Sequence, residues 1–138
     1  MPTTTTISGA FDVKMTPRSS AHEGAQIGRF SLDKTYHGDL EATSLGEMIA
    51  VQTAQKGSAG YVAIERVTGT LAGRRGSFAL QHSATMDRGT PNLTIVVIPD
   101  SGTDGLAGIT GTMDIRIEPG GKHFYDFTYA LPAADAAK

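Results

Sequence analysis

The sequence predicts an all-β fold, a single eight-stranded antiparallel barrel, and three observations carry that prediction. Apolar and polar residues alternate with a period of two along most of the chain, as they do in strands with one buried face. No segment of helical length combines apolar residues at helical spacing with capping residues at its ends. The 17 glycines among 138 residues are spread between the alternating segments, a distribution that is typical of turns and bulges.

The first half of the chain supplies four predicted strands, at residues 7–15, 29–36, 40–53 and 61–71. The first two alternate clearly between apolar and polar residues. The third is the nearest to a helical pattern, but Gly46 and several β-branched residues favour a strand with a bulge. In the fourth, both faces are largely apolar, so the alternation leaves open which face points inward.

The second half supplies the other four, at residues 77–86, 93–99, 112–118 and 123–131. Antiparallel strands joined by hairpins leave exposed edges unless the sheet closes on itself. We therefore predict a closed barrel over residues 6–131. Residues 1–5 and 132–138, which have little apolar surface to bury, are expected to be loose tails.

One pattern occurs twice, as LAGRRGSF at residues 71–78 and as LAGITGTM at residues 106–113. Each copy joins two predicted strands, so we interpret the copies as equivalent hairpin corners of the closed sheet. Their glycines supply positive φ or a close approach of backbones. Leu71 and Leu106 are suited to plug one end of the barrel. A phosphate-binding loop would need a helix after the glycines, and neither copy precedes one.

Composition excludes several classes of function. Twelve basic residues face 14 acidic ones, and no basic cluster offers a surface for nucleic acid or an anionic membrane. The chain has no cysteine, and its four histidines lack the spacing of metal ligands, so no metal and no cofactor is predicted. The first residues lack a signal-peptide pattern, and no apolar run approaches the ~20 residues that span a bilayer. A cytoplasmic location is expected.

Several stretches resemble known proteins. GYVAIERVTGTLAGRRGSFALQH (60–82) is similar to a stretch of plant allene oxide cyclases. From residue 7 to residue 131 the chain more closely resembles a bacterial family of unknown function grouped with allene oxide cyclase-like barrels. That closer match is carried by KTYHGDLEATSLGEM (34–48), GSAGYVAIERVTGTL (57–71), GRRGSFALQHSATM (73–86) and the 102–113 repeat. The resemblance implies an eight-stranded antiparallel barrel in a homo-oligomer, and it implies no particular activity.

His82 is the most informative polar residue. Alternation places it on the same face as Phe78, so it is expected to point into the barrel. A single inward histidine is more often a hydrogen-bonded core residue than a catalyst, but its imidazole titrates near neutral pH and suits proton transfer. A Ser-His-Asp triad is rejected, because Ser83 faces away from His82 and no nucleophile elbow is present.

Glu65 poses the second question, because it lies in the strand whose inner face is ambiguous. If Glu65 faces inward, burial is expected to raise its pKa and make it a candidate acid or base. If Arg66 faces inward instead, Glu65 is an ordinary surface charge. At Glu65 the allene oxide cyclases carry a small residue, so the local chemistry differs from theirs.

The favoured function is a barrel that binds a small apolar ligand in its lumen, because no complete catalytic constellation is visible. The alternative is an isomerase or cyclase of the allene oxide cyclase type acting on an apolar oxygenated substrate. A third possibility is a stable oligomeric scaffold with a filled core and no ligand. Apolar surface on both sides of the last strand and of segment 93–98 also predicts a dimer or trimer. The candidate ligand-binding residues are His82, Glu65, Tyr61, Phe78, Glu41, Tyr36 and Tyr125.

Overall fold

Eight antiparallel strands close into a barrel in which each strand pairs with the next one along the chain and the last pairs with the first. A computed structural model describes residues 3–22 and 24–132. The strands are β1 (Thr5–Arg18), β2 (Gly28–Tyr36), β3 (Leu40–Gln52), β4 (Ala59–Leu71), β5 (Arg74–Asp87), β6 (Thr90–Val97), β7 (Thr110–Ile117) and β8 (His123–Ala130). The predicted all-β barrel is thereby confirmed, and none of the described helices is long and apolar enough to cross a membrane.

The ambiguous strand, β4, turns its odd-numbered residues into the barrel. Ala63, Glu65 and Val67 are buried, whereas Val62 and Ile64 are each 54% exposed on the outer face. The outer face of β4 is therefore apolar although it is exposed, and its apolar residues are not part of the core. Glu65 is therefore an interior residue.

The bulge predicted at Gly46 is absent from the pairing of β3. Gly46 pairs with Leu32 on β2 and with Glu65 on β4, and the register continues unbroken on both sides of it. Its glycine identity has another cause. A Cβ at this position would lie 2.8 Å from the Cβ of Glu65, a separation that side chains do not tolerate.

The repeated motif forms two different structures, so the prediction of equivalent corners is wrong. In the first copy, Ala72 and Gly73 make a two-residue hairpin turn with φ of 48° and 87°, and β5 begins at Arg74 rather than at residue 77. The second copy begins at the last residue of a short 3₁₀ helix, Asp104–Leu106, and turns where the Ile109 amide donates to the Leu106 carbonyl at 3.1 Å. The same sequence pattern therefore forms a tight hairpin in one place and the end of a longer loop in the other.

The two leucines of the motif nevertheless fill the same end of the barrel, as predicted. Leu71 and Leu106 are fully buried and belong to one core cluster. The aromatic side chains of β8 join that cluster, because Tyr125, Phe127 and Tyr129 all point inward. This face of the last strand is therefore core and offers no exposed apolar surface for the predicted association. This end of the barrel, which contains the β2–β3 and β4–β5 turns, is filled by side chains.

The inner glycines of the motif are required for close approach, not for positive φ. A Cβ at Gly76 would lie 3.2 Å from the Leu106 side chain, and one at Gly111 would lie 3.0 Å from the Tyr129 Cα. We expect Gly76→Val and Gly111→Val each to lower the free energy of unfolding by at least about 1 kcal/mol. Gly60→Val is the control, because the nearest atom to a Cβ there is at 3.6 Å. Thermal melts in which all three variants match the parent would contradict this role.

The predicted tails are only partly described. Thr5 belongs to β1, where it pairs with Tyr129 of β8, so it is not part of a loose tail. Residues 1–2 and 133–138 lie outside the described residues. At the other end of the chain, Leu131 follows β8 and packs against the core.

Candidate functional site

The barrel is filled at one end and hollow at the other. The hollow half holds a cavity of about 570 Å³. Its rim includes Met15 and Ile117, which are 52% and 68% exposed, so the cavity is open to solvent. All eight strands contribute residues to its lining. These residues are predominantly apolar, among them Phe11, Val13, Leu32, Met48, Ala63, Ala84, Met86, Leu93 and Ile115.

A fully buried carboxylate lies at the inner end of this cavity. Glu65 is 0% exposed, and four side chains donate hydrogen bonds to it. Tyr36 Oη and Ser44 Oγ donate to its Oε1 at 2.6 and 2.7 Å. Lys34 Nζ lies 2.7 Å from its Oε2, and His82 Nε2 lies 2.6 Å from the same atom. We call these five residues the Glu65 cluster.

Four neighbouring strands supply the cluster, each through its inward face. Lys34 and Tyr36 alternate with outward residues on β2, Ser44 lies on β3, Glu65 on β4 and His82 on β5. Adjacent strands in the barrel bring these positions to one level. The register places Ala63 opposite His82, and it places Gly46 opposite Glu65.

The charge state of the cluster follows from its contacts. Burial alone would raise the pKa of Glu65, but the hydrogen bond from His82 and the positive charge of Lys34 outweigh it and lower the pKa to about 2. The glutamate is therefore ionised at neutral pH and forms a buried ion pair with Lys34. Burial and the adjacent Glu65 charge raise the pKa of Tyr36, so its phenol stays protonated and donates.

Glu65 itself is unsuited to acid–base chemistry. A carboxylate has about four positions at which it accepts hydrogen bonds, and all of them are used. The expected rise of its pKa is wrong, because His82 and Lys34 stabilise the charged form more than burial destabilises it. Glu65 acts as a fixed anchor for the groups around it.

The groups presented to the cavity are Lys34 and His82, which both line it. Since an ionised carboxylate only accepts, the Nε2 of His82 must carry the hydrogen toward Glu65. Its Nδ1 has no hydrogen-bond partner among the described residues. The ammonium of Lys34 lies 5.2 Å from the Phe11 ring centroid and retains donor capacity beyond its bond to Glu65.

The other predicted site residues fall in three places. Tyr61 is half-buried and lines the cavity. Phe78 and Tyr125 are buried in the packed end, where the Tyr125 hydroxyl donates to the His37 carbonyl at 2.8 Å. Glu41 lies on the outer surface of β3, since it alternates with the inward-facing Leu40 and Ala42. The structure thus gathers only His82, Glu65, Tyr36 and Tyr61 at or beside the cavity.

Three residues of the site were missed by sequence reasoning. Lys34 lies between Leu32 and Tyr36 on an otherwise apolar inward face, and that interruption was a usable signal. Ser44 gave no signal, because serine is common on both faces of strands. His123 lines the cavity and its ring lies 5.3 Å from that of Phe11. Among residues 3–22 and 24–132, no group of three metal-ligating side chains is assembled.

Because the pKa of Glu65 is lowered, we expect the free energy of unfolding to fall in acid. Because the folded pKa is about 2 and the ordinary value is 4.5, the cluster stabilises the fold above about pH 4.5 and loses that contribution as the pH falls toward 2. Urea unfolding of the parent and of Glu65→Gln across this range should show their difference shrinking by a few kcal/mol. A difference that stays constant with pH would contradict an ionised Glu65.

Fold and site together define a class of protein: a closed antiparallel β-barrel with an open apolar lumen and a charged floor. A family model described as a protein of unknown function (DUF3224) matches residues 7–129, and the chain belongs to this family. The chain is similar to a protein with unknown function from the same family from Shewanella oneidensis MR-1, known from a crystal structure. The two are 50% identical, the alignment covers 96% of this chain and 100% of that one, and the TM-score is 0.90. A comparison with curated proteins found no match.

Proposed function

We propose that the protein binds a small, mostly apolar molecule in its lumen, with a polar group of the ligand against Lys34 and His82. The observation that carries the proposal is the position of the Glu65 cluster at the floor of an open apolar cavity. The cavity volume of about 570 Å³ lies within the range of small-molecule sites, which combine apolar walls with a few placed polar groups.

Energetics support a binding role for the cluster. A buried ion pair is often no more stable than well-packed apolar side chains of the same volume. A barrel selected only for stability would fill this level with leucine and valine, as it does at the packed end. Charged residues below an open lumen stabilise the fold less than a filled apolar core would, and such residues are common at functional sites.

Blocking the lumen tests the proposal. Ala84 lines the cavity, and Ser83, its neighbour on β5, faces outward. The fluorescence of N-phenyl-1-naphthylamine, a neutral apolar probe, should rise and shift to the blue on addition of the parent protein and of Ser83→Phe. Ala84→Phe should abolish the response, because the ring occupies the cavity. An equal response from all three proteins, or none from the parent, would contradict binding in the lumen.

A proton-transferring isomerase of the allene oxide cyclase type is the second candidate, and the contact between Glu65 and His82 favours it. The carboxylate holds Nε2–H, so a neutral His82 presents a basic Nδ1 while Lys34 is placed to stabilise charge on a carbonyl oxygen. Exchange of the methyl hydrogens of 2-acetonaphthone for deuterium, followed by NMR, should then be accelerated by the parent and not by His82→Gln. If the parent does not accelerate the exchange, the isomerase is contradicted and ligand binding remains as the proposed function.

We also propose a cytoplasmic location and assembly into a dimer or trimer. The apolar surface available for association is the outer face of β3 and β4, where Leu45, Val62 and Ile64 are more than half exposed. Light scattering at micromolar concentration should give the mass of a dimer or trimer. A monomer mass would contradict self-association.

A further inference from the structure

In the part of the chain that the structure describes, the lining of the lumen contains basic side chains and no acidic ones. Among the described residues around the cavity, Lys34, His82 and His123 carry nitrogen groups that hold or accept a proton, and no aspartate or glutamate faces the space. Glu65 lies behind them with both oxygens fully used. A ligand entering the lumen therefore meets donors and potential cations at the floor, and no free carboxylate repels an anion.

The balance of charge in the Glu65 cluster decides what an anion would do there. With a neutral His82, the single positive charge of Lys34 is already matched by Glu65. A second anion would then leave one uncompensated negative charge in an apolar, weakly solvated space, which is unfavourable. Protonation of His82 restores the balance, with two cations facing two anions. The Nδ1 that has no partner in the described part of the chain would become a donor to the ligand.

We infer that the floor of the lumen is an anion site, and that an apolar molecule with an anionic head binds there together with one proton taken up by His82. This inference rests on the proposed lumen binding and specifies the chemical class of the ligand. It also orients the ligand, since the head must enter first to reach Lys34 and His82 while the apolar part stays against the walls.

Two of the described histidines line the cavity, and His82 is the one that contacts Glu65. Tyr36 beside Glu65 is a donor whose pKa is raised by burial, and Tyr61 on β4 behaves in the same way, so neither takes up a proton. The lining residues from β1, β3, β6 and β7 carry no titratable group. The titratable or charged groups around His82 are Glu65 and Tyr36, which lie behind the floor of the lumen, and Lys34, Tyr61 and His123, which line it.

A matched pair of probes tests the inference, 2-naphthoate and the nearly isosteric neutral 2-naphthamide. Calorimetric titrations are run at about pH 8, above the ordinary range of imidazole, in two buffers with different heats of ionisation. Binding of 2-naphthoate should take up close to one proton and exceed binding of 2-naphthamide by about tenfold or more. Binding of 2-naphthamide should take up none.

Two histidine variants locate the proton. His82→Gln keeps an N–H toward Glu65 but cannot be protonated, so proton uptake should vanish and the preference for 2-naphthoate over 2-naphthamide should fall. His37→Gln, at a half-exposed histidine that contacts Asp12 outside the cavity, should retain both uptake and preference.

The results that would contradict the anion site differ from those that would contradict lumen binding. Equal affinities for the two probes, or uptake that survives in His82→Gln, would overturn the anion site and leave lumen binding intact. No binding of either probe, together with an unresponsive N-phenyl-1-naphthylamine, would overturn the proposed function as well.

Discussion

Replacing Glu65 with leucine should lower the free energy of unfolding by about 3–5 kcal/mol. The substitution leaves the Lys34 ammonium buried with no counter-charge, and removal of one partner from a buried ion pair has effects of this size. It also removes the acceptor of Tyr36 and Ser44, whose hydroxyl groups donate to Oε1. Urea denaturation at neutral pH measures the loss.

A second substitution separates charge from packing. Lys34→Met in the Glu65→Leu background removes the stranded charge, so the double variant should be more stable than Glu65→Leu alone. Glu47→Leu is the matched control. That glutamate pairs with Arg29 on the outer face of β3 and is 61% exposed, so its loss should change stability by less than about 1 kcal/mol. Equal losses for Glu65→Leu and Glu47→Leu, or a double variant no better than the single one, would contradict the buried pair.

Gly46→Ala should have the second-largest effect, a loss of about 3 kcal/mol or more. The added methyl group would lie 2.9 Å from the Cα of Glu65, so the backbone of β4 must move. That movement displaces the carboxylate from its four donors and adds the cost of disrupted hydrogen bonds to that of steric strain. Thermal and urea unfolding measure the total.

The control for this prediction is Gly60→Ala on β4, where a new Cβ would have only ordinary contacts, the nearest at 3.6 Å. It should be nearly neutral. The acid dependence of stability provides a second readout, because Gly46→Ala should also weaken the loss of stability between about pH 4.5 and pH 2. A Gly46→Ala protein as stable as Gly60→Ala would contradict the close approach of β3 to Glu65.

The barrel could be predicted from the sequence because its strands follow one simple rule, alternation between an apolar interior and a polar exterior. The rule failed to give the inner face of β4, because Val62 and Ile64 form apolar surface on the outside. It failed at the repeated motif as well. Alternation does not report backbone dihedral angles, and one pattern fits both the hairpin at Gly73 and the loop end at Gly108.

The site was less predictable than the fold, because it depends on pairing between strands. His82 was found from its inward position, and Glu65 was found without its orientation. That four donors converge on Glu65 follows from the register of β2, β3, β4 and β5, which one sequence does not specify. The lowered pKa of Glu65 depends on His82 and Lys34, and Lys34 lies 31 positions away in the chain.

A crystal structure of the protein grown with 2-naphthoate tests the central claim most directly, namely that Glu65 holds Lys34 and His82 as a binding floor within an open lumen. We expect the naphthyl ring between the walls formed by β1 and β5, with its carboxylate within hydrogen-bonding distance of Lys34 Nζ and His82 Nδ1. Glu65 should keep all four of its donors. A naphthoate bound only on the outer surface, or a lumen closed by its own side chains, would contradict the claim.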